Sequence, residues 1–326
     1  MAPFTLNLGI ISTGGISTAF AHDLVVDPAC HNIKNVNYPR SPLSEGKSWA
    51  WGVKNGVLDG AKPRGTYEEI YNDFDVTAVY VGTPHVLHHR NAKDDLKNKI
   101  FMEAVWTRFQ PIAYAVEEVI NSGILGKPKR FFADFSMDWD IDALGGGSLL
   151  DMSAYPSVWA MLLVHGHIIN TDKNPKVLFT HQTIYPCSGV DINSRWLVEW
   201  KGLCQGMLMT DLDNAGQKDS TAVLQCEEGD LVIVYPPYQP ETFYIHPRPS
   251  RFPGTITSST THHHPLHDGN NGMTYEADEV ARCIRDGKIE SERMQWEESR
   301  VVQGWVDKVR KEGPSETAKL VGTAGQ

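Results

Sequence analysis

The chain is short of the features that would place it on a nucleic acid, in a membrane or in an oxidising compartment. Acidic residues outnumber basic ones, 40 to 30, for a formal net charge of -10. The Lys/Arg excess that grips a phosphate backbone or an anionic bilayer is therefore missing. No apolar run approaches the ~20 residues of a membrane span. The five cysteines, Cys30, Cys187, Cys204, Cys226 and Cys283, are scattered, with no Cys-x-x-Cys pair. That pattern argues for reduced thiols in a cytoplasmic protein. The N-terminal "MAPFTLNLGIIS" lacks a basic segment and is expected to lead into a buried strand, not to act as a secretion signal. Internal repeats and low-complexity tracts are lacking too.

What is present is a globular composition, 41% hydrophobic over 326 residues, enough for one large α/β domain or two ordinary ones. Strand and helix signals alternate through the first hundred residues. "FTLNLGII" reads as a strand and "STAFAHDLVVD" as a helix. "GTYEEIYND" reads as a short helix with Thr66 and Glu69 forming a capping box, and "VTAVYVGTP" as a strand buried on both faces. That order predicts a doubly wound parallel sheet. Its second strand is not evident, because "NIKNVNYPRSPLSEG" lacks an apolar run, so this sheet is expected to be truncated. "FMEA" at Phe101–Ala104 reads as a further strand. Beyond it, "PIAYAVEEVINSGILG" is an amphipathic helix and "KRFFADFSMDWDI" a one-faced strand. Short strand signals then follow from Pro175 to about Ile245, predicting an α+β domain with a large, open, mainly antiparallel sheet. The expected division is 1–105, 106–270 and 271–326, the last segment being two closing helices.

"GIISTGGIST" sits where a first strand meets a first helix. Backbone N–H groups and a helix N-terminus can hold a pyrophosphate at such a place. The slots of the usual three-glycine pattern read Ser12, Gly14 and Ser17. Gly14 is central, Ser12 is small enough for the turn, and Ser17 suits a close helix–strand contact. A plain tight turn explains the same residues equally well. Arg40 and Ser41 could hold a 2′-phosphate, or "PRSPLSEG" is simply a solvated loop.

Together, "GIISTGGIS", "YVGTPHVLHHRNA", "FMEAVWTRFQP", "GGGSLLDMSAYP" and "GMTYEADEVARCIRDGK" resemble the glucose–fructose oxidoreductase/inositol dehydrogenase (Gfo/Idh/MocA) family. The resemblance runs nearly the whole chain and is strongest to the dimeric dihydrodiol dehydrogenase and fungal NADP-dependent D-xylose dehydrogenase branch. It implies hydride transfer on NADP or NAD, a Rossmann-like first domain, and a sheet domain that forms a homodimer through its open face. By that resemblance Ser12, Gly14 and Ile16 lie in the phosphate loop. Thr83, Pro84, His85 and His88 lie beside the cofactor, Trp106 and Arg108 form a substrate-pocket wall, and Asp151 and Tyr155 are the acid and the catalytic tyrosine. On spacing alone, Asp151 could instead cap a helix and Tyr155 could be core.

The chain departs from that family in three places. It passes from Ile100 to Phe101 without the Glu-Lys-Pro strand and the helix of the family. The strand after "NVNYP" looks truncated, and the loop before "GGGS" looks short. An unperturbed phenol has a pKa near 10, and a neighbouring lysine would lower it. Lys97 and Lys99 are the nearest stand-ins for the missing lysine. The expected activity is therefore an impaired or altered oxidation of a sugar, dihydrodiol or related cyclic alcohol or ketone. The alternatives are a repurposed isomerase or cyclase, and a catalytically silent dimer-forming binding protein. The expected partners are a small-molecule substrate and a second copy of the chain, with no nucleic acid or membrane.

"THHHPLHDG" is expected to be a loop over the substrate mouth and not a metal site, since consecutive histidines in a Pro-containing loop converge poorly on one ion. His165 and His167 are expected at the end of an apolar helix. Trp139, Trp159, Trp196 and Trp200 are expected to pack with the sheet, Trp139 near the pocket.

Overall fold

The computed structural model describes residues 6–26, 33–39, 63–64, 66–84, 87–95, 100–139, 147–248 and 254–314. In chain order the elements are β1 Leu6–Ile11, α1 Gly15–Val26, β2 Ile33–Pro39, β3 Pro63–Arg64, α2 Tyr67–Tyr71, β4 Ala78–Val81 and α3 His88–Asp95. A 3₁₀ turn at Trp106–Phe109 precedes α4 Pro111–Ser122, β5 Pro128–Ser136, α5 Gly147–Met152 and α6 Ala154–Ala160, which runs into a π-helical turn at Met161–His165. The strands β6 Lys176–Ile184, β7 Asp191–Trp200, β8 Cys204–Asp211, β9 Ala222–Cys226, β10 Gly229–Ile233, β11 Thr242–Pro247 and β12 Thr260–His263 follow, then α7 Thr274–Arg285 and α8 Trp296–Glu312.

The chain divides into two compact units. One comprises Met1–Phe109 and Leu266–Gln295, the other Gln110–Pro265 and Trp296–Gln326. The two closing helices fall in different units, α7 in the first and α8 in the second. In the first unit a four-stranded parallel sheet has the order β3-β2-β1-β4. Leu6, Leu8, Ile10 and Ile11 of β1 are all buried, as expected of a parallel strand covered on both faces. The capping box on α2 forms, with the Glu69 N–H donating to Thr66 Oγ1 at 3.2 Å.

Two sequence expectations fail here for the same reason. Ile33–Pro39 is a seven-residue strand, in register with β1 through Asn35, Val36 and Asn37. Backbone pairing on both sides holds it, so it needs no apolar run. Conversely, Phe101–Ala104 is apolar enough but forms no strand, and the Phe101 N–H instead donates to the Ile289 carbonyl at 3.1 Å. Among the described residues, β4 is an edge of this sheet.

The second unit carries an eight-stranded sheet of order β12-β11-β10-β9-β5-β8-β7-β6. Its β5–β8 pair is parallel and every other pair antiparallel. One face packs on α5, α6 and α8 and buries Phe131, Phe135, Trp196, Val198 and Trp200. Trp159 on α6 is fully buried as well, whereas Trp139 is 51% exposed. Among the described residues the other face is half-buried to exposed. Its registers align Phe179, Leu197, Met207, Phe132, Val223, Val232 and Tyr244 as one apolar row across seven strands. Thr260–His263 is not a loop but the edge strand β12, paired to β11 from Thr242↔His263 to Ile245↔Thr260. An edge position tolerates its polar side chains, and His262 stacks on Phe243 with centroids 4.5 Å apart. At the opposite edge the turn after α8 returns to β6, where the Gln182 N–H donates to the Gly313 carbonyl at 2.7 Å and Gln182 bridges Pro314.

Candidate active site

The first unit builds a turn between β1 and α1. Ser12 holds φ 82°, the left-handed conformation usually left to glycine. Its Oγ accepts from the Gly14 N–H at 3.3 Å. Gly14 does not need to be glycine for its own packing. A Cβ placed there would meet only Ser12 Oγ, at 3.5 Å, and one on Gly15 would meet nothing. The space beside this turn and the N-terminus of α1 is thus left open, as a pyrophosphate requires. Ile16, on the first turn of α1, is 38% exposed. Ser17 fills the close contact expected of it: a Cβ on Gly82 would collide with its Oγ.

The end of β4 lies beside that turn. Ile11 pairs with Val81, and the Gly82 N–H donates to the Ile11 carbonyl at 3.0 Å. Thr83 is buried, with Asn91 Nδ2 donating to its Oγ1 at 3.0 Å and His88 Nε2 lying 2.7 Å from its carbonyl. Ser12, Gly14, Ile16, Thr83, Pro84 and His88 therefore cluster at the carboxyl end of two adjacent parallel strands. Arg40, His85, Lys97 and Lys99 lie outside the described residues.

Trp106 and Arg108 lie in the buried 3₁₀ turn. Arg108 Nε donates to the Arg293 carbonyl at 2.8 Å, and Arg293 Nε donates to the Arg108 carbonyl at 2.7 Å. This reciprocal clasp gives Arg108 a structural task the sequence did not signal. A second unsignalled group is the carboxylate pair of Asp23 and Glu276. Asp23 accepts from Asn271 N (2.9 Å), Asn271 Nδ2 (2.8 Å) and Met273 N (3.0 Å), tying α1 to the start of α7. The Glu276 carboxyl is fully buried, and both its oxygens lack a hydrogen-bond partner among the described residues. Burial, and then the nearby Asp23, push it up to about 8. Burial is also the main cause that raises the Tyr80 phenol well above its ordinary range.

Asp151 and Tyr155 lie in the second unit. Asp151 sits in the last turn of α5 and so does not cap it. Tyr155 opens α6 after a break at Ser153. The start of α5 is held by Asp191, whose Oδ2 accepts from Ser148 Oγ (2.6 Å), Leu149 N (2.9 Å) and Ser194 Oγ (2.7 Å). Gly147 has φ 74°, and a Cβ there would sit 2.8 Å from the Asp191 backbone N and O. Glycine is thus required twice over at this position. Tyr155 packs edge-on against Phe135 (5.4 Å) and Tyr238 (5.8 Å), with Met152 and Leu212 in the same cluster. Neither Asp191 nor Tyr238 has a local motif to announce it. The buried thiols of Cys204 and Cys226 are pushed up to about 12 by burial, which makes them inert. Burial lowers His167, beyond the end of the π-helical turn.

No protein-family model matches the chain. Among curated proteins it is similar to the D-xylose 1-dehydrogenase (NADP(+)) of Hypocrea jecorina, 26% identical over 375 aligned residues that cover 98% of this chain and 95% of that protein. That aligned length exceeds the 326 residues of this chain, so the relative carries segments that this chain lacks. The trans-1,2-dihydrobenzene-1,2-diol dehydrogenases of Danio rerio and Homo sapiens are each 26% identical, covering 94% of this chain and 96% of theirs. Among solved structures, levoglucosan dehydrogenase in complex with NADH and levoglucosan superposes with a TM-score of 0.75 at 16% identity, over 95% of this chain and 98% of its own. A 3-ketoreductase from Actinomadura kijaniata, in complex with TDP-benzene and NADP, gives 0.72 at 19%, over 96% and 98%. These likenesses show the fold, a Rossmann-like parallel unit with a large mixed-sheet unit.

Proposed function

We propose that this chain is an NAD(P)-dependent oxidoreductase acting on the ring of a sugar, a dihydrodiol or a related cyclic alcohol or ketone. The observation that carries the reading is the β1–α1 turn, with Ser12 at positive φ, unencumbered space at Gly14, and the end of β4 alongside. Dinucleotide phosphates bind at such a place, and the relatives are named as NADP-dependent or dihydrodiol dehydrogenases. Ser12, Gly14 and the first N–H groups of α1 would hold the pyrophosphate, and Thr83, Pro84, His85 and His88 are the residues assigned to the cofactor beside them. Arg40 would bind a 2′-phosphate, and Trp106 and Arg108 would line the substrate pocket. A bound nicotinamide would supply the hydride acceptor for oxidation at a carbinol carbon. Tyr155 takes the hydroxyl proton and Asp151, one turn before it, orients the substrate. Without the Glu-Lys-Pro lysine, proton transfer is slower by about 10²–10⁴-fold unless Lys97 or Lys99 substitutes. The assembly is a homodimer through the open sheet, in the cytoplasm.

Calorimetric titration with NADP and NAD tests this reading. Binding of either is expected, with loss of at least tenfold in Gly14→Asp, whose carboxylate would enter the phosphate space without crowding the fold. No binding of either cofactor defeats the reading. The absence of the Glu-Lys-Pro segment, which borders the cofactor cleft in the family, leaves one other use open, a non-redox isomerase or cyclase. Substrate turnover at constant nicotinamide absorbance would establish that use instead.

A further inference from the structure

Tyr155, Phe135 and Tyr238 form a three-ring cluster with centroids 5.4, 5.6 and 5.8 Å apart and interplanar angles of 85°, 49° and 67°. The two contacts of Tyr155 are edge-on and that of Phe135 with Tyr238 is tilted; such contacts are favoured, and a plain core would contain them too. Two features set this cluster apart. Tyr155 and Tyr238 are both only half-buried, so each ring keeps surface in solvent. And the loop that presents Tyr238 is held by two fully buried donors. Trp159 Nε1 donates to the Pro237 carbonyl at 3.0 Å, and Gln110 Nε2 donates to the Tyr238 carbonyl at 3.1 Å. Trp159 lies one turn beyond Tyr155 on α6. A single helix therefore sets both the position of Tyr155 and that of the backbone next to Tyr238.

We infer that Tyr238 is a specificity-determining residue: with Tyr155 it forms an angled aromatic platform, two rings 67° apart, one meeting the C–H face and the other the rim of a cyclic polyol, selecting ring substrates over open-chain ones. The ring of a sugar or cyclic diol has apolar C–H faces girdled by hydroxyls. Two tyrosines offer apolar ring surface for the face and phenolic oxygens for the girdle. Burial raises the Tyr238 phenol above its ordinary pKa, which disfavours its ionised form; its role is binding, and proton transfer stays with Tyr155. The division of labour rests on the oxidoreductase reading; the binding platform does not.

Saturation-transfer NMR on the full chain tests the platform, with levoglucosan, D-xylose and trans-cyclohexane-1,2-diol as ring probes and xylitol as the open-chain probe. The wild type is expected to bind the ring probes more tightly than xylitol. Tyr238→Ala is expected to weaken the ring probes about tenfold and xylitol little, with Tyr238→Phe within about threefold of wild type. Where a ring probe is oxidised with NADP, Tyr238→Ala raises KM about tenfold with a smaller change in kcat, whereas Tyr155→Phe lowers kcat by about 10²-fold or more. Ring binding without nicotinamide reduction would defeat the oxidoreductase reading and leave Tyr238 in place. Absence of ring binding to the wild type, or equal weakening of ring and open-chain probes by Tyr238→Ala, overturns the inference.

Discussion

Ser12 and Glu276 each hold a state that an isolated residue would avoid. At Ser12 the cost is in the backbone: φ 82° disfavours any side chain and most of all a β-branched one. Ser12→Val is expected to lower unfolding free energy by roughly 1–3 kcal/mol, and Ser12→Gly to leave it unchanged or slightly raised. Thermal melting of the two variants would separate these outcomes. At Glu276 the cost is electrostatic. The unfolded carboxyl ionises near its ordinary 4.5, while the folded one keeps its proton to about 8. Between those values the folded chain binds more protons, so stability falls as pH rises from about 4.5 to 8. The groups facing it are Asp23 and Tyr80, neither of which supplies a countercharge. Glu276→Gln is expected to stabilise the chain on the order of 2–4 kcal/mol at pH 8 and very little at pH 4.5. Urea denaturation at both pH values reads this directly, and a gain independent of pH would contradict it. Sequence reading reached Ser12 because its neighbours in the chain form a turn. It did not reach Glu276, since a buried acid on α7 looks like any helix glutamate until α1 and β4 are folded around it.

Helices and strands were legible to the degree that their stabilisation is local. α4, α7 and α8 have amphipathic patterns and glycine stops, and β6 to β10 carry strand signals at short spacing, so local pattern places them. β2 and Phe101–Ala104 depart from the sequence pattern in opposite directions, because strand status there depends on neighbours: β2 has partners on both sides and, among the described residues, Phe101–Ala104 has none in the sheet. β12 was hidden by its histidines. The start of α5 shows the same non-locality at work in the site. Asp191, on a distant strand, holds Ser148 and the Leu149 N–H that begin the segment carrying Asp151 and Tyr155. Asp191→Ala strands these donors and is expected to cost about 2–4 kcal/mol, since each buried polar group left unsatisfied costs about 1–3 kcal/mol. Hydrogen exchange at the Leu149 amide should quicken with it. An unchanged exchange rate would show that the helix start is fixed by other contacts.

At the scale of the whole molecule, the open face of the sheet presents one apolar row from Phe179 to Tyr244, with Phe132 at 41% exposure near its middle. A row of this kind is a face for association. Light scattering is expected to give about twice the 36.3 kDa of one chain, and Phe132→Glu to return the monomer mass by placing a charge within the apolar contact. A wild type that scatters as a monomer would remove the dimer from the proposed function. The two borders of the same sheet oppose edge pairing by different means. β12 ends the sheet with histidines, and Gln182 of β6 is already paired with the chain's own Gly313 and Pro314. Face-to-face pairing terminates after one partner, whereas edge-to-edge pairing propagates into fibres. The return of the chain after α8 therefore occupies Gln182 at that border. Trimming the protein before Gly313 would free this backbone for pairing with another chain.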